Sequence, residues 1–565
     1  MKLEKGKKEP DFENSWKKST KIMQIKNHLP AILTINLVST LIFFACGTLN
    51  IKGDQKHYLS GAYNLIGEGT YSISFCTPGI YDPDATNFDA AKEKKRVAFR
   101  DSIFTKISSY CKSYQIEVDT HLLFSNYDQF TKTILIDDQE FANLAKINIK
   151  RIKKIGLDTV FFPLKEHEVI RPTAYREPIP SCVYSIALFF NHKIWQMDRP
   201  EFMNSLHASS QEINQVMASS RWILVVCIVM ASIFLYLTIF EITRNQIFSF
   251  AVSISPFLFE EFRAEMSTFG SEMATYPFFI LSVFFLIKIL KPGGGAGYWI
   301  SGGFFLGVLS LGKASFFYST FPVFLLLMLY AWKKSINRKY LVFFVLGFMV
   351  PTGLWLARNY VHFGKYVFTQ RAGSVLSIRH ELNQLDKTDY CKAFRYWSKN
   401  SSISELKSSN QDKQTPLYEF LDDENPNGFY LKGKLKRLKW HLSGFSIEEA
   451  EERLTEHMRK KAFSDPIRHF SVMLPLSLRG VSWSGIGWVN IILYLGFLSL
   501  IIQFLIALVK LDWVILFLGI LPLVNLGFML LLTQNYPRFN LFAIPFLLAI
   551  GCFRYFLTAK KSGES

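Results

Sequence analysis

Charge is scarce in this 565-residue chain: Asp, Glu, Lys and Arg make up 19% of it, against about 25% in an ordinary soluble protein. Apolar residues take their place, 49% hydrophobic overall and 16% aromatic, with 53 Phe. Several apolar runs reach the roughly 20 residues that cross a bilayer, which excludes a water-soluble globular chain. Cysteine is sparse as well. The seven cysteines are scattered without metal-ligand spacing, and an odd count forbids complete pairing. Cys76, Cys111, Cys182 and Cys391 fall in segments read below as external, and nothing selects a Cys76–Cys111 disulfide. There is no small-residue cleavage site after a short apolar core near the N-terminus, so MKLEKGKKEP and SWKKSTKIMQIK read as a cytoplasmic tail entering a retained helix. FFACG around Cys46 fits a lipoprotein site poorly, because Phe43 and Phe44 precede it and many spans follow. Internal repeats are missing too.

The formal net charge of +18 does not imply a nucleic-acid partner. Many of the Lys and Arg lie in short loops between apolar runs, the positive-inside pattern of a polytopic membrane protein. The expected fold class is therefore all-α, with about ten transmembrane helices.

Residues 1–28 form the basic tail and 29–51 the first span, followed by a long external segment at 52–218. Six spans then occupy 219–356, near 219–240, 246–259, 272–290, 297–312, 316–332 and 339–356. A second external segment, 357–484, precedes three spans within 485–557 (486–509, 511–532 and 539–557) and a tail at 558–565. This threading puts every basic short loop, KKSINRK above all, on one side. An error of one span would invert half of them.

The first external segment is composite. YNLIGEGTYS and IPSCVYSIALFFNHKIW have the half-apolar, aromatic character of interfacial helices. Between them a polar stretch, 82–170, mixes helical and strand-like patches and reads as a small α/β insertion. Its acids Asp82, Asp84 and Asp89 read as a solvated turn, since DPDATNFD lacks the ligand register of a calcium loop. The second segment carries the turn DDENPNG and an amphipathic helix, SIEEAEERLTEHMRKKAF.

Ionisable residues gather at the external span ends. Asp54 follows the first span, and a carboxylate there is costly unless it faces water or a partner. Arg176 and Glu177 stand in PTAYREPIP, and Glu260, Glu261, Arg263, Glu265 and Glu272 in the turn before the fourth span. Lys313 ends the fifth span, Arg358 follows the seventh and Arg538 opens the last. Taken singly, a long basic side chain at a span end snorkels to headgroups and an acid in a turn is solvated. Together they lie opposite the side that the positive-inside rule makes basic. A lipid-phosphate donor suits such a face: Arg and Lys bind the phosphate and stabilise the charge as it leaves. A carboxylate takes the proton of an acceptor hydroxyl. A second one, such as Glu272, orients the acceptor or holds a divalent cation, Mg or Mn, that bridges the phosphate.

The chain resembles the membrane glycosyltransferases of the C-type fold, in the branch of the protein O-mannosyltransferases and the lipid A aminoarabinose transferase. GDQKHYLSGAYNLIGEGTYS is similar to that branch's first-loop motif, and PTAYREPIPSCVYSIALFF to its Arg-x-Pro-x-Tyr-Pro segment. SPFLFEEFRAEMSTFGSEMATYPFFILSVFF resembles its third span, acidic turn and fourth span, with Ser271-Glu272 at the Ser/Thr-Glu/Asp position. GVLSLGKASFFYSTFPVFLLL, LWLARNYVHFGKYVF and NYPRFNLFAIPFLLAIG follow in the family's order. Lys313 stands where the branch usually has Arg, Ile179 and Ser181 depart from the Pro-Tyr-Pro pattern, and the 82–170 insertion is unusual.

The resemblance implies a polyprenyl-phosphate sugar donor, an envelope lipid, glycan or protein acceptor, and inverting displacement at the external face. Asp54 would be the base and Glu272 the acceptor-orienting acid. Tyr58, Arg176, Glu177, Lys313, Arg358 and Arg538 would contact substrate. The Lys- and Phe-rich style suggests a bacterial inner membrane with a periplasmic site. A transporter or lipid-linked sugar flippase is the alternative, but it favours charges at mid-span and broken helices, and here the charges sit at span ends. A non-catalytic scaffold would leave these residues apart.

Overall fold

The structure is a computed structural model. It describes residues 12–45, 58–59, 61–62, 65–66, 69, 71, 174, 176–191, 218–291, 295–369, 371–398, 416–421, 428–430, 432–433, 447–547 and 549–550. Asp54, Cys46, Cys76, Cys111 and the 82–170 insertion lie outside the described residues. The described chain is helical throughout, without a strand, so the expected strand-like patches of the insertion are not among the residues described.

Among the described residues, seven helices are long and apolar enough to cross a membrane: His28–Ala45, Ala218–Thr243, Ser271–Ile289, Ser315–Lys333, Lys339–Phe363, Gly487–Lys510 and Trp513–Leu532. Two expected spans are shorter. Residues 246–259 form a helix over Gln246–Ile254 that tightens into a 3-10 turn at Ser255–Leu258, where Pro256 removes a backbone donor. Ala296–Gly312 is 17 residues long and ends at Lys313, whose backbone is extended (φ −154°, ψ 117°). The last expected span opens as a 3-10 helix, Pro537–Ala543, so Arg538 sits in a turn before it. Helix continues through 544–547 and 549–550.

Contacts fix the relative directions of neighbouring helices. His28 Nδ1 lies 3.0 Å from Tyr236 Oη and the Arg221 guanidinium 5.1 Å from the Phe43 ring, so the first two spans run antiparallel. At the basic end, Lys288 pairs with Glu241 at 2.9 Å, Lys291 joins the same carboxylate, and Tyr330 Oη donates to Leu290 O at 3.2 Å. At the other end Lys313 reaches Glu272, and towards that end Tyr318 stacks on Phe528 with ring centroids 4.6 Å apart.

Ser271–Ile289 is the central helix, with 78% of its span window buried, against 17% for Gly487–Lys510 and 22% for Lys339–Phe363. The latter two present Leu346, Leu354, Ile492 and Leu505 outward, as lipid-facing helices must. Interior Pro277 and Pro522 are accommodated within helices packed on their neighbours. Cys182, Cys227 and Cys391 carry free thiols.

Candidate active site

Glu272 lies in the first turn of the central helix, where the exposed backbone N–H groups favour a negative charge. Its side chain is buried, only 3% exposed. Ser271 Oγ donates to Glu272 Oε2 at 3.0 Å, and Lys313 Nζ lies 3.5 Å from Oε1. Lys313, also buried, donates to Phe539 O at 3.2 Å and stands over the Phe539 and Phe542 rings at 4.6 and 5.2 Å. A lysine at the end of a helix normally reaches for water. This one turns inward, because Gly312 lets its helix close on Thr275: a Cβ there would come within 2.7 Å of the Thr275 side chain.

The other candidates join this pair. Tyr58 Oη donates to Glu177 Oε2, and the other Glu177 oxygen accepts from the Ala314 N–H beside Lys313, both at 3.4 Å. The Arg176 guanidinium stands 5.7 Å from the centre of the Tyr58 ring. Arg538 is near enough to act on both Glu272 and Glu265. Arg358 is tied in through Tyr71: its Nη2 donates to Tyr71 O at 3.1 Å, while Tyr71 Oη donates to the Glu177 carbonyl at 3.1 Å. Residues from six separate stretches of chain thus meet at one end of the bundle. Asp54 stands four positions before Tyr58 in sequence, outside the described residues.

Ser181 has a definite task. Its hydroxyl donates to Tyr58 O at 2.8 Å, and Gly61 leaves room for it. Tyr184 from the same short helix donates to Gly270 O, fixing the turn before Glu272. Arg263 spends its guanidinium on the Phe257 and Leu258 carbonyls at 2.9 and 3.0 Å, capping its own turn away from the pair.

Three features escaped the sequence reading. Tyr71 bridges the two arginine-bearing regions. An asparagine network holds the turn that presents Arg538: Asn525 Nδ2 donates to Phe539 O (2.9 Å), Asn540 Nδ2 to Asn535 Oδ1 (2.8 Å) and Asn535 Nδ2 to Leu476 O (2.7 Å). Asn535 has φ +46°, a left-handed conformation that Asn tolerates better than most residues. The asparagines in QNYPRFN could have signalled such a turn. The third feature is Glu265, which looked like one more acid in an acidic turn. The residue is half-buried, but its carboxylate turns inward onto Thr268 Oγ1 at 3.1 Å and the Gly270 turn.

Burial raises the Glu265 carboxyl to about 7; Arg538 opposes this, and Glu272 and Glu261 add to it. The folded protein therefore holds a proton there between about pH 4.5 and 7 that the unfolded chain has released. The stability linked to this group is full below that window and falls as pH rises through it. Thermal unfolding from about pH 5 to about pH 8 is expected to show the decline, and Glu265→Gln to flatten it. An undiminished slope in the variant would sink this assignment.

Glu272 offers its oxygens to Lys313 and Ser271, and among the described residues no three acidic, His or Cys side chains gather as a metal site. What the arrangement can do is hold a partly neutralised carboxylate beside cations at one end of the helix bundle. Comparison with protein-family models, curated proteins and solved structures finds no match for this chain.

Proposed function

We propose that the chain is a membrane glycosyltransferase of the C-type fold, moving a sugar from a polyprenyl phosphate to an envelope lipid, glycan or protein. The observation that carries this reading is the buried Glu272–Lys313 pair, joined by Arg538 and Glu177 from separate stretches of chain. Burying such groups is costly unless function uses them, and a charged lipid phosphate beside an apolar tail is the substrate whose shape and charge match the place. The convergence of Tyr58, Arg176, Glu177, Glu272, Lys313 and Arg538 also disfavours a scaffold, and their position at span ends disfavours transport.

In the proposed reaction Asp54 removes the proton of the acceptor hydroxyl. The oxygen attacks the anomeric carbon from the face opposite the phosphate, a new C–O bond forms, and the bond to the phosphate oxygen breaks. Configuration inverts, and the polyprenyl phosphate leaves with the electron pair and needs no proton. Lys313, Arg538, Arg176 and Arg358 carry the developing charge, while Glu272 orients Lys313 and the acceptor.

Purified protein incubated with radiolabelled polyprenyl-phosphate sugars and crude envelope acceptors is expected to yield a labelled product. Asp54→Asn is expected to lose at least about 100-fold of that transfer, as loss of a general base does, with unchanged thermal unfolding. Full activity in Asp54→Asn would exclude it as the base, and no product from any donor would remove the glycosyltransferase reading.

A further inference from the structure

We propose that residues 463–474 are a membrane-surface anchor. Phe463, Ile467, Phe470 and Leu474 would enter the leaflet at the Glu272 face, while Arg459, Lys460 and Lys461 contact anionic headgroups. The inference does not depend on the catalytic reading.

The four apolar side chains are 42, 72, 58 and 62% exposed. The spacing of three and four places Ile467, Phe470 and Leu474 on one helical face across Pro466–Ser471 and Met473–Gly480, and Phe463 stands in the turn that leads into it. The opposite face, with His469, Val472 and Leu476, is buried. An exposed apolar row of this size marks an interaction surface.

Continuity identifies its occupant. The next position in the row is Ser477, whose hydroxyl donates to Tyr494 Oη at 3.1 Å. Tyr494 is the eighth residue of the Gly487–Lys510 span, about 10 Å along its axis at 1.5 Å per residue. The row therefore ends against the flank of a span whose Trp488, Ile492 and Leu495 are themselves bare (64, 57 and 58% exposed) and face lipid. A soluble partner would have to share that flank with the bilayer.

Charge points the same way. Arg459, Lys460 and Lys461 close the preceding helix, Ile447–Ala462, and are exposed. Between residues 459 and 486 the sole acid is Asp465, whose carboxylate is occupied by the Arg468 N–H at 3.0 Å. An apolar stripe with a basic flank is the composition of an interfacial segment on anionic lipid.

The buried side of the anchor, and the helix that continues it to Gly480, are bonded to the rest of the fold. Arg379 donates to His469 O at 2.6 Å and to Leu530 O at 3.2 Å, and Asn540 donates to Gly480 O at 3.1 Å. A segment seated in the leaflet would therefore hold down the turn that carries Arg538.

The test uses the full chain in lipid nanodiscs of phosphatidylethanolamine and phosphatidylglycerol, with a nitroxide at Ile467→Cys or Phe470→Cys. Signal from native thiols, such as exposed Cys391, is subtracted with labelled unsubstituted protein. Both labels are expected to be relaxed more by oxygen than by a water-soluble nickel chelate, as a label at lipid-facing Leu505→Cys is. Behaviour like that of a label at exposed Glu456→Cys would mean water and overturn the anchor. Spin–spin broadening that disappears on dilution with unlabelled protein would mean a second copy and overturn it equally. In discs of phosphatidylcholine alone, or with Arg459, Lys460 and Lys461 all changed to Gln, the Ile467 label is expected to ride shallower. Indifference to lipid charge would overturn the headgroup contacts.

Discussion

Lys313→Met is expected to abolish transfer and to lower stability by about 3–5 kcal/mol, the cost of breaking a buried ion pair on one side only. Lys313 is buried, 3.5 Å from Glu272 and wedged between Phe539 and Phe542. Met fills most of its volume, so the loss comes from charge and not from a cavity. Glu272 would remain buried beside Ser271, with Arg538 the nearest compensating cation. The Phe539 carbonyl would also lose the Lys313 donor, leaving it the Asn525 amide at 2.9 Å.

A second substitution separates folding from chemistry. Lys313→Met combined with Glu272→Gln removes both charges and is expected to recover much of the lost stability, since a neutral pair escapes the uncompensated burial. Activity is expected to stay at background, because the phosphate has lost its cation. Lys313→Arg keeps the charge and is expected to retain measurable transfer. Unfolding in detergent and the radiolabel assay, run on all three, read the two effects independently. A single Met variant as stable as the parent would show that the pair is not the buried unit described here.

Much of this site could be seen in the sequence, for a plain physical reason. Hydrophobic runs must end where the bilayer does, so Lys313, Glu272 and Arg358 could be placed at one face by counting spans. The expected spans at 272–290 and 511–532 are helices Ser271–Ile289 and Trp513–Leu532. What counting cannot reveal is the direction in which a side chain at a span end turns. Lys313 and Arg263 look alike in sequence; one is buried on Glu272 and the other caps its own turn. The difference lies in Gly312 against Thr275 and in the asparagine network under Phe539, contacts between residues far apart in the chain. Arg538 was expected at the opening of a span because hydropathy continues past it. Pro537 and the surrounding hydrogen bonds instead make a 3-10 turn, which brings the guanidinium towards the carboxylates.

Glycine spacing was the largest signal left unused. SGG at 301–303 falls within the expected span 297–312, and Gly303 and Gly307 lie inside Ala296–Gly312 and face Lys339–Phe363. A Cβ at Gly303 would fall on the Phe344 carbonyl, and one at Gly347 on the Ile300 carbonyl. At Gly307 it would meet Pro351 Cγ at 2.6 Å and Phe348 O at 2.8 Å. The obstacles are mostly backbone, which cannot swing aside. Between helices in lipid there is little hydrophobic drive, so association rests on such close approach of small residues.

Gly347→Leu is therefore expected to prevent accumulation of folded protein, and Gly347→Ala to cost about 1–3 kcal/mol by overpacking. Gly353→Ala supplies the control. It lies on the same helix, but its nearest neighbour is the flexible Met349 Cε at 3.7 Å. There the change is expected to be neutral or to stabilise by up to about 1 kcal/mol, because Ala loses less backbone entropy in a helix than Gly. Thermal unfolding of the two Ala variants in one detergent decides the matter, and equal midpoints would refute the seam. The seam also bears on chemistry. Ala296–Gly312 ends in Lys313, so a helix pushed off Lys339–Phe363 carries the lysine away from Glu272. Gly347→Ala is then expected to lose transfer beyond what its folded fraction explains, while Gly353→Ala keeps it.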